Sequence, residues 1–80
     1  MPKEYILYGT SGCHLCDEAE SIVSAAIINQ SIIFIKQDII NDDHLLHQYA
    51  LTIPVFKSLA TKEELCWPFT KEVIQAFIRQ

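Results

Sequence analysis

Residues 10–17 read Thr-Ser-Gly-Cys-His-Leu-Cys-Asp, with Cys13 and Cys16 separated by two residues. Two thiols at this spacing can do three kinds of chemistry. They can make and break a disulfide, supply half of a zinc site, or ligate an iron–sulfur cluster. The surroundings discriminate. The pair follows an apolar stretch, Tyr5-Ile6-Leu7-Tyr8, and opens a segment with helical periodicity. A thiol at a helix N-terminus faces unpaired backbone N–H groups and the positive end of the helix dipole. Free thiols ionise near pH ~8.5, whereas those in such settings ionise between about 3.5 and 7.5. Cys13, nearer the N–H groups, is therefore the expected nucleophile. Cys16, one turn on, is the expected resolving thiol that releases a bound product by closing the Cys13–Cys16 bond. His14 between them would add positive charge as imidazolium and tune Cys13, or is simply an exposed helix residue. Asp17 acts in the opposite sense.

A structural zinc site needs four ligands. Only His44 and His47 could complete one, and they lie farther along the chain than in compact zinc modules. Both read better as solvent-facing helix residues, so no metal site is expected. A cluster shared between two subunits through Cys13 is the other metal alternative.

The elements that must position the pair follow from periodicity. Residues 4–9 read as a strand. Leu15, Ala19, Ile22, Val23, Ala26 and Ile27 fall on one face of a helix expected to begin near Cys13 and end near Asn29. Ser31-Ile32-Ile33-Phe34-Ile35-Lys36 is a continuous apolar run, expected to be a strand buried on both faces and parallel to the first. Asn41 or Asp42 can cap a short helix bearing Leu45, Leu46 and Tyr49. Pro54 heads a third strand. Residues 57–59 and 64–67 read as a hairpin about a turn at 60–62. Thr70 can cap a last helix with Val73, Ile74, Phe77 and Ile78 on its buried face. Cys66 is expected to be a buried strand thiol, and Trp67 and Phe69 core residues.

The order is β-α-β-α-β-β-α. Eighty residues imply one domain spanning 1–80. Half the residues are apolar and the net charge is −4. No basic stripe is present for nucleic acid or an anionic membrane surface. No targeting segment or run long enough for a membrane span is visible, so the expectation is a cytoplasmic monomer.

In this order of elements the chain resembles the glutaredoxins of the thioredoxin-fold superfamily, and most of all a small bacterial glutaredoxin-like branch. The resemblance rests on Gly12 to Ala19 with its CxxC, on Thr52-Ile53-Pro54, and on Trp67-Pro68-Phe69-Thr70. It implies an α/β fold with a four-stranded mixed sheet, the first and third helices on one face and the second on the other. It implies thiol–disulfide oxidoreduction acting on protein or small-molecule disulfides, with no permanently bound cofactor and electrons from glutathione or a reductase. It also implies a cis Pro54 facing the cysteines, with Ile53 offering its backbone groups to a bound peptide or glutathione. The chain departs from the family's usual pattern. His14-Leu15 replaces Pro-Tyr, the Gly-Gly turn before the last helix is absent, and Gly9-Thr10-Ser11 stands where a Lys is usual. Thr70 and the first N–H groups of the last helix could still hold one carboxylate. The rival readings are a redox-silent protein-binding module on the same fold and a metal or cluster carrier.

Overall fold

A computed structural model describes residues 2–79. Strand β1 (Lys3–Gly9) is followed by α1 (His14–Ala26), β2 (Ile32–Asp38), α2 (Asp43–Tyr49), β3 (Val55–Ser58), β4 (Glu64–Cys66) and α3 (Lys71–Ile78). The sheet order is β2-β1-β3-β4. β1 runs parallel to β2, with Leu7 beside Lys36 and Gly9 beside Asp38, and antiparallel to β3, with Tyr8 beside Val55. β4 closes the hairpin antiparallel to β3.

Alternation along β1 divides the core. Tyr5 and Leu7 face α1 and α3, joining Ala19, Val23, Phe56, Ile74 and Phe77. Tyr8 faces the other way, with Val55, Ile39 and Tyr49, beneath α2. Phe56 is fully buried and stacks on Tyr5 at 4.9 Å between centroids, with Phe77 at 5.9 Å. Side chains cap each helix start: Cys13 for α1, Asp42 for α2 and Thr70 for α3, the last accepting the Val73 N–H at 3.2 Å.

Several expectations are corrected. α1 ends at Ala26, short of Asn29, which takes a left-handed conformation (φ 65°) in the turn beyond. Its buried face is Cys16, Ala19, Val23 and Ala26, and Leu15 is exposed. The face is rotated because Cys16, not Leu15, points at the sheet. β2 is an edge strand rather than one buried on both faces. Ile32 and Phe34 pack on the core, but Ile33 and Ile35 are half exposed because α2 lies over β1 and β3. Val73 is 43% exposed, leaving Ile74, Phe77 and Ile78 to anchor α3. Cys66 is exposed, since β4 is the opposite edge of the sheet. Phe69 is buried, and Trp67 packs half-buried against the same cluster, with its ring edge-on to Phe69 at 5.1 Å.

Candidate functional site

The site grows from the end of β1. Gly9 is the last residue of the strand, and a Cβ placed there would lie 3.1 Å from Cys16 Sγ and 3.2 Å from Cys16 Cβ. A side chain at this position would need Cys16 to give way by a few tenths of an ångström. Gly12 has φ +76°, a left-handed turn that a side chain disfavours. That turn delivers Cys13 in an extended conformation at the N-cap of α1. The Cys16 backbone N–H donates to Cys13 Sγ at 3.1 Å. The role usually taken by a Ser or Asp oxygen thus falls to sulfur. Cys13 and Cys16 are joined in a disulfide, with their Cα atoms 5.2 Å apart. Cys13 is half-buried and Cys16 lies beneath it, 9% exposed.

His14 projects into solvent, 87% exposed, with Nε2 3.9 Å from Glu18 Oε1. It sits beside Cys13 in the chain and faces along the outer side of α1.

The 52–54 loop approaches from the other strand. The Ile53–Pro54 peptide is cis, as is Trp67–Pro68. β1 and β3 pair as far as Tyr8 beside Val55, the residue that follows Pro54. Gly9, one residue beyond Tyr8, lies below Cys16 and beside Asp38 of β2. Pro54 is fully buried and its carbonyl accepts the Trp67 N–H at 3.1 Å. Ile53 does not offer both backbone groups to a ligand. Its N–H is donated to the Tyr49 carbonyl at 3.1 Å, at the end of α2, and among the described residues its carbonyl accepts no bond. The Thr52 hydroxyl donates to the same Tyr49 carbonyl at 3.3 Å, so Thr52 anchors the loop. Thr70 is joined to this region through Trp67, but its Oγ1 is engaged as the α3 cap. His44 and His47 are exposed on α2, and among the described residues no three His, Cys, Asp or Glu side chains gather as a metal-ligand set.

A cleft of about 470 Å³ opens beside Cys16, between residues 10–12, the first turns of α1 and the end of β2. Lys36 Nζ lies 3.1 Å from Glu20 Oε1 there, and the Ser11 hydroxyl donates to Asp38 Oδ2 at 3.4 Å. Sequence reasoning did not single out Gly9, Lys36 or Asp38. For Gly9 a signal existed: the chain has only two glycines, and both flank the approach to Cys13.

A helix capped by one thiol, a second thiol beneath it and a buried proline at the strand end make a CxxC site on a thioredoxin-like fold. The comparisons place the chain in a family. The family described as Glutaredoxin-like domain (DUF836) matches residues 4–79, and the chain belongs to it. Among solved structures, the chain is similar to the X-ray structure of Northeast Structural Genomics target protein XcR50 from X. campestris. The two are 31% identical over 94% of this chain and 95% of that one, with a TM-score of 0.83. It is also similar to the solution structure of protein Ne2328 from Nitrosomonas europaea, 27% identical over 96% and 92% of the two chains, with a TM-score of 0.80. No curated protein matches.

Proposed function

We propose that this protein is a dithiol–disulfide oxidoreductase in which Cys13 attacks and Cys16 resolves. One observation carries the reading: Cys13 Sγ is itself the α1 cap, accepting the Cys16 N–H, while bonded to a cysteine buried beneath it. In the reduced protein, that N–H and the positive end of the helix favour a thiolate at Cys13. The thiolate attacks one sulfur of a substrate disulfide. The Cys13–substrate bond forms as the substrate's S–S bond breaks, and the departing thiolate takes a proton from water. Cys16, deprotonated, then displaces the second substrate thiolate, which is likewise protonated. Two electrons pass to the substrate, and the protein ends as the Cys13–Cys16 disulfide.

His14 is assigned a tuning role through its charge beside Cys13. The Ile53 carbonyl gives a substrate backbone one main-chain hydrogen bond rather than two, and the buried Pro54 beside it positions that loop. Thr70 is the group nearest in role to a carboxylate holder, acting with the N–H groups of α3. Electrons return from glutathione or a reductase, without a bound organic cofactor. Protein or small-molecule disulfides are the substrates. The exposed free thiol of Cys66 supports residence in a reducing cytoplasm.

The test is a redox titration in glutathione buffers of graded potential, acid-quenched and read by intact mass. The expected result is cooperative loss of two hydrogens within the cytosolic range, abolished by Cys13→Ser. Absence of both disulfide and glutathione adduct across that range would sink the proposal.

A further inference from the structure

The cleft beside the disulfide has a charge character that the redox chemistry alone does not require. Cys16 forms part of its wall, and Cys13 is joined to Cys16 from outside that wall, so a substrate bonded to Cys13 has the cleft as its neighbour. Three carboxylates line it, from Asp17, Glu20 and Asp38, against the single ammonium of Lys36. That ammonium is already committed to Glu20 at 3.1 Å. Asp38 is held by the Ile40 N–H at 2.9 Å and by the Ser11 hydroxyl, bonds that fix its position while leaving its charge in place. Asp17 has no hydrogen-bond or ion-pair partner for its carboxylate among the described residues. A disulfide bearing carboxylates would bring like charges together here. One bearing an ammonium or guanidinium would neutralise Asp17 and Asp38. Carboxylates within a Debye length of the reacting sulfurs, about 8 Å at physiological salt, also steer the encounter.

Resting on the oxidoreductase reading, we infer that the partner of this site is a peptide segment whose disulfide-bonded cysteine is flanked by Lys or Arg. The disulfide determines the reaction, the Ile53 carbonyl offers one backbone contact, and the acidic cleft selects the sign of the flanking charge.

The experiment follows single turnovers of the fully reduced protein by intact mass. Three symmetric disulfides of capped tripeptides X-Cys-X serve as oxidants, with X as Lys, Gln or Glu. Each rate is divided by that for dithiothreitol acting on the same peptide, which removes intrinsic differences among the disulfides. Each turnover passes two electrons from Cys13 and Cys16 to one peptide disulfide and yields two peptide thiols.

The Lys peptide is expected to react at least about tenfold faster than the Glu peptide at low ionic strength, with the Gln peptide between them. The ratio should contract several-fold in roughly 0.5 M salt. Asp17→Asn and Asp38→Asn should each reduce it, with the Gln peptide rate as the internal reference. Equal normalised rates for Lys and Glu peptides, or a preference for Glu, would overturn the charge assignment while leaving the oxidoreductase reading intact. No reaction with any of the three would overturn that reading as well.

Discussion

At Gly9 a single missing methyl decides how strand and helix meet. An alanine Cβ would press on Cys16 Sγ and Cβ at 3.1 and 3.2 Å, and Cys16 cannot retreat because α1 and its bond to Cys13 hold it. Gly9→Ala is therefore expected to destabilise the oxidised protein by about 1–3 kcal/mol, the usual range for an overpacked core, measured by denaturant unfolding. Gly12 presents the complementary case. Nothing lies within 4 Å of its hypothetical Cβ, so space is not the constraint, but its φ of +76° is. Gly12→Ala should cost about 1–2 kcal/mol through backbone conformation alone. Tyr49 carries the clearest titration effect. Burial, then the hydrogen bond it donates to Glu64 and the negative charge there, hold its phenol protonated well above the ordinary 10.0. The folded state keeps a proton that the unfolded chain releases. Its contribution is thus complete below pH ~10 and is lost as the pH rises beyond that value. Tyr49→Phe should cost about 1–2 kcal/mol at neutral pH and flatten the alkaline decline in stability, read from unfolding midpoints between pH 8 and 11. Tyr5, also raised by burial, would retain part of that decline.

At the scale of elements, each helix start rests on one side chain, and each was visible in the chain as a polar or thiol residue ahead of a periodic run. Thr70→Ala should cost about 1 kcal/mol, detectable as a lowered melting temperature, because the Val73 N–H loses its acceptor. The order of elements and the position of the CxxC at a strand–helix junction were legible for the same reason: they depend on local pattern. What was not legible depends on lateral placement. The run Ile32–Ile35 looks fully buried, but a run of isoleucines reads alike whether one or both sheet faces are covered. Only the sheet order, with β2 at an edge and α2 displaced over β1 and β3, leaves Ile33 and Ile35 open. Cys66 was misread on the same account. Leu15 and Val73 fail differently, since a one-residue rotation of a helix face shifts its boundary members without disturbing its centre. The commitment of the Ile53 N–H to Tyr49 is a contact across a loop that no pattern reports.

For the molecule as a whole, the aromatic cluster joins elements that are distant in sequence. Phe56 on β3 meets Tyr5 on β1, Phe34 on β2 and Phe77 on α3. A folded chain of 80 residues has a total stability of roughly 4–12 kcal/mol. Truncating a buried Phe costs about 3–5 kcal/mol. Phe56→Ala is expected to leave a largely unfolded protein at 37 °C, seen as loss of near-ultraviolet circular dichroism, and to remove the redox site with it. The hydrogen bond from the Cys16 amide to Cys13 sulfur has a consequence of another kind. That amide is an internal gauge of oxidation state. A thiolate is a stronger acceptor than a disulfide sulfur, so the Cys16 amide proton should exchange with deuterated solvent more slowly after reduction than before, although reduction breaks a covalent crosslink. In uniformly nitrogen-15-labelled protein, one amide resonance would then read the state of the sulfurs directly, without dye or substrate.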